Sequence, residues 1–113
     1  MSPKMVFVAH PMSGDIRGNT RKVVEICRKI HTVDVIPVFP SFTWRKYLRN
    51  NKRDKALAGM VNKVYFRSGF INELWLYGDH ITDGMWREID LARRYRIIIV
   101  PMTAGTKKEY RIR

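Results

Sequence analysis

A chain of 113 residues is the size of one domain, and a 45% apolar share with 12% aromatics supplies a hydrophobic core and excludes a disordered tail. Twenty-two Lys and Arg against ten Asp and Glu leave a net charge of +12, which points to an anionic partner: nucleotide, nucleic acid or acidic membrane surface. One cysteine, Cys27, excludes an internal disulfide framework and a multi-cysteine zinc site, and no apolar run approaches the ~20 residues that span a bilayer.

The opening Met1-Ser-Pro-Lys4 lacks a signal-peptide core, so a cytoplasmic location without membrane attachment is expected. Met5 to Ala9 is a nearly continuous apolar run and predicts a strand buried on both faces. His10 to Asp15, with Pro11 and Gly14, predicts a turn. From Arg17 to Ile30, Val23, Ile26, Cys27 and Ile30 recur at helical spacing between basic residues, the pattern of an amphipathic helix. Val33 to Val38 is strand-like, and Pro37 and Pro40 place it at a sheet edge.

Ser41 to Lys55 is irregular and strongly basic, and it predicts a helical turn or two around Trp44, Tyr47 and Leu48, then a loop. Ala56 to Ser68 predicts a helix with Leu57, Met60, Val61, Val64 and Tyr65 on its apolar side and Gly69 as its stop. Leu74 to Tyr77 is a third buried strand. Thr82 or Asp83 caps a further helix to about Tyr95, with Met85, Ile89 and Ala92 facing inward. Ile97 to Val100 is a fourth strand, and Pro101 stops it. The tail from Met102 to Arg113 is expected to add a short strand around Glu109 to Ile112 or to fray.

Short apolar strands alternating with helices predict a single α/β domain over residues 1–113. Its core is a small doubly wound, flavodoxin- or Rossmann-like parallel sheet of four to five strands, with helices on both faces. Ligands of such sheets bind beyond the carboxyl ends of the strands, where the strand order reverses. His10, Ser13, Gly14 and Asp15 follow the first strand; Gly78, Asp79 and His80 follow the third, with Glu88 in the helix beyond. If those strands are neighbours, the groups converge on one crevice.

The run Val6-Phe-Val-Ala-His-Pro-Met-Ser-Gly-Asp-Ile-Arg-Gly-Asn19 resembles the opening of the nucleoside 2-deoxyribosyltransferase-like proteins, in particular their small bacterial and phage branch. The block Glu73-Leu-Trp-Leu-Tyr-Gly-Asp-His-Ile-Thr-Asp-Gly-Met-Trp-Arg-Glu-Ile-Asp-Leu-Ala92 resembles the same family's strand, glycine turn and Glu-bearing helix. The resemblance implies a site for the N-glycosidic bond of a nucleoside or nucleotide and a homodimer or larger homo-oligomer. It makes Glu88, after Gly84, the match to the family's nucleophilic glutamate, a role that suits a carboxylate beside an oxocarbenium-like centre. Asp79 is then expected to orient or protonate the departing base.

In the same frame Ser13 and Gly14 approach sugar or phosphate at a helix start, where free N–H groups favour an anion. Asp15 can hold a sugar hydroxyl, and Arg17 and Asn19 are phosphate or base contacts. His10 and His80 can contact a base, and Gly78, Asp83 and Gly84 shape the second loop. Two histidines without ligand spacing assign no metal, and no cofactor is implied. The family carries an assisting aspartate about two helical turns before the third strand; Val64 stands at that position, with Asn62 and Tyr65 the nearest polar residues.

Three functions are therefore expected, in this order. The first is a nucleotide N-glycosidase or deoxyribosyltransferase acting on a (deoxy)nucleoside 5′-monophosphate through Glu88. The second is a non-catalytic protein that binds a nucleotide or nucleotide-derived signal. The third is a basic nucleic-acid-binding protein using Arg45 to Lys55 and the tail residues Lys107, Lys108, Arg111 and Arg113.

Overall fold

A computed structural model describes residues 2–112. Four strands, β1 (Lys4–Ala9), β2 (Val35–Val38), β3 (Glu73–Leu76) and β4 (Ile98–Pro101), form one sheet in the order β2-β1-β3-β4, and every pairing is parallel. Five helices connect or follow them: α1 (Ile16–Ile30), α2 (Ser41–Trp44), α3 (Lys52–Arg67), α4 (Asp83–Arg94) and α5 (Ala104–Ile112). The expected α/β doubly wound architecture is present, with four strands among the described residues. Pro37 sits in the edge strand β2, where its missing N–H costs no central ladder bond. No helix of the described residues is long and apolar enough to cross a membrane.

Alternation along the strands divides the interior into two layers. Phe7 and Ala9 of β1 and Leu74 and Leu76 of β3 join Phe66 of α3 and Met85, Ile89 and Ala92 of α4 in the main core. The Phe7 and Phe66 rings lie 4.6 Å apart, which ties α3 to the central strand. Val6 and Val8 point to the other face, where the right-handed β1–α1–β2 crossover puts α1 and its buried Val23. All four of the strand-buried side chains of β1 are at most 1% exposed, as a two-sided strand requires.

Local signals set the helix ends. Asp15 caps α1 by accepting from Gly18 N–H (3.0 Å), and Thr82 caps α4 by accepting from Met85 N–H (3.2 Å). Arg28 and Lys29 close α1, and Arg93 and Arg94 close α4, each complementing the negative end of the helix dipole.

Two elements differ from the sequence expectation. α3 begins at Lys52 rather than Ala56, because Asn51 caps it by accepting from Asp54 N–H (2.8 Å) and the buried Asp54 carboxylate accepts from Arg49 N–H (2.7 Å). Its apolar side is also turned: Met60, Val64 and Tyr65 are exposed, and the core contact is made by Phe66 on the opposite side. That leaves an apolar groove lined by Leu57, Met60, Val61 and Val64 on the outer surface.

The second difference is the tail. Glu109 lies in helix α5, not in a strand, and the helix is fastened rather than frayed. Thr103 and Thr106 exchange backbone-to-hydroxyl bonds (both 3.2 Å), a reciprocal cap that starts the helix. The fully buried Thr106 hydroxyl donates to the Leu76 carbonyl (3.1 Å), and Thr103 Oγ1 donates to the Gly78 carbonyl (2.6 Å). Glu109 Oε1 accepts from Ile81 N–H (2.9 Å). Arg113 lies outside the described residues.

Candidate functional site

The connection leaving β1 runs to β2 on one side, and the connection leaving β3 runs to β4 on the other. The strand order therefore reverses between β1 and β3, and their carboxyl ends flank the crevice where such sheets take ligands. The loop from His10 to Asp15 and the loop from Tyr77 to Thr82 meet there. Gly78 has φ +94°, and a Cβ on it would collide with the Pro11 ring, so only glycine lets the two loops touch. A Cβ on Gly105 of α5 would strike the Asp79 backbone. The second loop is thus held by Pro11 on one side and by α5 on the other.

His10 is buried, and its Nδ1 donates to the Pro11 carbonyl (2.6 Å). Burial pushes its imidazole below the ordinary value; Lys22 adds to the shift, and the Pro11 bond and the Asp79 carboxylate oppose it. The result is a neutral ring with Nδ1–H fixed and Nε2 left as an acceptor. The charge influence of both Lys22 and Asp79 places an α1 cation and a β3-loop anion around this histidine. Lys22 was not singled out by the sequence, where it is one of several basic residues on a helix exterior.

Ser13, Gly14 and Arg17 are exposed at the first loop and helix start, and Asn19 Nδ2 turns back to donate to the Met12 carbonyl (3.1 Å). Asp15 spends its carboxylate on the α1 cap, so part of the N–H set expected for a phosphate already faces an anion. Asp79, His80 and Asp83 are exposed, and Gly84 lies in the first turn of α4. Among the described residues, no three His, Cys, Asp or Glu side chains gather as a metal donor set.

Glu88 stands apart from these groups. It is half-buried on α4, and Asn62 of α3 donates through Nδ2 to its Oε2 (3.2 Å). Burial pushes its carboxyl up to about 8, against the opposing pulls of Arg87 and the Asn62 bond. The residue of α3 that faces Glu88 is Asn62; Val64 is half exposed on the other side of the helix. The partners stand 26 positions apart and share no periodic signal, so only the packing of α3 on α4 reveals the pair.

The remaining candidates are structural. Cys27 is half-buried with its thiol pushed up by burial, the opposite of an activated nucleophile. Trp86 stacks with Tyr110 of α5 at 6.3 Å, and Trp75 Nε1 donates to Glu73 (2.7 Å), whose other oxygen pairs with Lys4 (2.7 Å).

No curated protein and no solved structure matches this chain. A family model does match, over residues 4–102, from the first residue of β1 to just past β4. The chain belongs to that family, described as Domain of unknown function (DUF7768).

Proposed function

We propose that this protein takes a (deoxy)nucleoside 5′-monophosphate at the carboxyl edge of its sheet and acts on the base–sugar bond through Glu88, as an N-glycosidase or deoxyribosyltransferase. The observation that carries this reading is the state of Glu88: a half-buried carboxyl on the helix after β3, hydrogen-bonded by Asn62 and shifted to about 8. Carboxyls whose titration is strongly shifted by burial are groups that enzymes use as acids, bases and nucleophiles.

In this scheme the ionised Glu88 attacks the anomeric carbon, and the C–N bond breaks with its electron pair leaving on the base. Solvent supplies the proton that the base needs, and the Asp79 carboxylate orients the base by accepting a hydrogen bond from it. Water or a second base then displaces Glu88 and regenerates the carboxylate. With a pKa near 8, about one-tenth of the molecules carry the carboxylate at pH 7. Base release therefore rises with pH through about 8 and levels off above it.

A second reading, binding without turnover, is favoured by one specific feature. The α3 partner of Glu88 is a carboxamide, which cannot shuttle a proton as a second carboxyl could. The homo-oligomer implied by resemblance has a candidate surface in the exposed Met60, Val64 and Tyr65 of α3, to be checked by light scattering.

The test is incubation with nucleosides, nucleoside 5′-monophosphates and nucleotide second messengers, with chromatography of free bases and of retained ligand. Free base should appear from a monophosphate and be lost in Glu88→Gln. Release that persists at the wild-type rate in Glu88→Gln removes Glu88 as the nucleophile. Retention of a nucleotide without release establishes the binding-only reading, and strong salt-sensitive binding to oligonucleotides alone would favour the nucleic-acid reading.

A further inference from the structure

A second feature lies where the segments that follow β1 and β2 come together. A cavity of about 410 Å³ opens between the first turns of α1 and the short helix α2, lined by Ile16, Thr20, Ser41, Phe42, Arg45 and Lys46. That volume falls within the range of small-molecule sites, roughly 300–1,000 Å³. Its walls combine two apolar side chains, two hydroxyls and two cations, with no carboxylate among them.

The polar groups on its α2 side are not satisfied within the protein. Ser41 is 9% exposed, and its Oγ is buried without a hydrogen-bond partner. Arg45 Nε and the neighbouring Trp44 Nε1 are in the same condition. All three can donate, and they fall within five residues of sequence. Buried donors are almost always paired, and two of these three belong to Ser41 and Arg45, which line the cavity. The Arg45 guanidinium lies over the Trp44 ring at 4.7 Å, and burial alone lowers its pKa, with no acidic neighbour to compensate. Thr20 Oγ1 donates to the Ile16 carbonyl (2.7 Å), which leaves its oxygen oriented but its proton used.

An anion with several acceptor oxygens is the complement of this set. A phosphate monoester fits it: a dianion can take hydrogen bonds from Arg45 and Ser41 while Lys46 neutralises it from the exposed side. Ile16 and Phe42 offer apolar surface to whatever the phosphate is attached to. By contrast, Ser13 and Gly14 share their helix start with the Asp15 carboxylate, which repels a dianion.

We propose that Ser41, Arg45 and Lys46 hold the phosphate of a nucleotide in this cavity, with Ile16 and Phe42 against its nucleoside. The choice of nucleoside rests on the function proposed above; the anion site itself depends on no property of Glu88.

The experiment is calorimetric titration of the full chain with the four common nucleoside 5′-monophosphates, the matching nucleosides, and inorganic phosphate. At least one monophosphate should bind saturably, and its nucleoside about tenfold or more weakly. Arg45→Ala should lower that affinity about tenfold or more, Ser41→Ala several-fold, and the surface variant Lys46→Glu should lower it even if Arg45→Ala fails to fold. Exposed Arg28 on the far turn of α1 serves as the control, and Arg28→Ala should bind as wild type.

The proposal is overturned if no monophosphate binds, if nucleosides bind equally well, or if folded Arg45→Ala and Lys46→Glu both bind as wild type. Inorganic phosphate binding that depends on Arg45, with no gain from a nucleoside, keeps the anion site and overturns the nucleotide assignment. Loss of base release in Glu88→Gln with unchanged binding separates the two sites. Arg45-dependent binding without any base release keeps this proposal and removes the catalytic one.

Discussion

Asn62 Nδ2 donates to Glu88 Oε2 across 3.2 Å and so joins α3 to α4 through the most strongly shifted carboxyl of the described residues. The bond favours the ionised form of Glu88, yet burial outweighs it. A neutral acid bridged to a carboxamide is what results near pH 7. Such a pair is a source of pH-dependent stability whether or not it does chemistry.

The first prediction concerns that dependence. The carboxyl titrates at about 8 in the folded chain and near its ordinary 4.5 in the unfolded one. Between these values the unfolded state loses a proton that the folded state keeps, so rising pH lowers the stability. Below about 4.5 both states are protonated, and the penalty is absent. Glu88→Gln should therefore match wild type near pH 4 and exceed it at pH 8, by on the order of 4 kcal/mol. Urea unfolding of both proteins from pH 4 to 9 checks this, and parallel curves would exclude the shift.

Removing the partner should move the same titration. Asn62→Ala deletes the one donor that stabilises the carboxylate, so the Glu88 titration should climb further above its wild-type position. Asn62→Asp puts two carboxyls on one site, and they should then titrate as a pair with widely separated apparent values. Side-chain carboxyl NMR read through a pH series distinguishes the three proteins. An unchanged Glu88 curve in Asn62→Ala would show that the bond does not form in solution.

The contrast between these residues and the rest of the chain shows what the sequence carried. Strands such as Val6 to Ala9 and Leu74 to Leu76 were legible because burial on both faces forces continuous apolar runs. The cap at Thr82 was legible because it acts over three residues, whereas Asp15, read as a sugar contact, spends its carboxylate on the cap of α1. α3 was half misread because Leu57, Val61 and Val64 look like a core stripe, whereas the α3 side chain buried in the main core is Phe66. α5 was missed because Thr103, Thr106 and Glu109 fasten it by polar bonds to Leu76, Gly78 and Ile81, about 25 to 30 residues away. Of the candidate site, the two converging loops followed from topology; the Asn62–Glu88 pair and the Ser41–Arg45 cavity depend on helix packing that no local pattern encodes.

The start of α3 supplies a prediction of opposite sign. Hydrogen bonding by Arg49 N–H is the largest cause that holds Asp54 below its ordinary 3.8, and Arg53 and Asn51 add to it. A depressed carboxyl contributes stability above the unfolded value and loses it as pH falls through the folded one. Asp54→Asn should lower the Tm at pH 7 and approach wild type as pH falls below about 3.8. Thermal melts at pH 7, 5 and 3 test it, and a constant difference across the series would assign the loss to packing instead.

The α5 anchor bears on the site itself. Gly105 lies against the Asp79 backbone with no room for a Cβ, and Thr106 is fully buried with its hydroxyl on the Leu76 carbonyl. Gly105→Ala must push α5 away from the loop of Gly78 to Ile81, at a cost of about 1–3 kcal/mol. Thr106→Val keeps the shape but removes one of the two donors to the Leu76 carbonyl and the hydroxyl that accepts from Thr103 N–H, which costs about 1–2 kcal/mol. Because α5 holds Gly78 through Thr103 and Ile81 through Glu109, both variants should speed amide exchange in residues 78–81 more than in β1. If Asp79 assists base release, activity should fall in both variants while the Glu88 titration stays in place. Uniformly faster exchange across the sheet would mean instead that α5 supports the whole domain and has no particular hold on this loop.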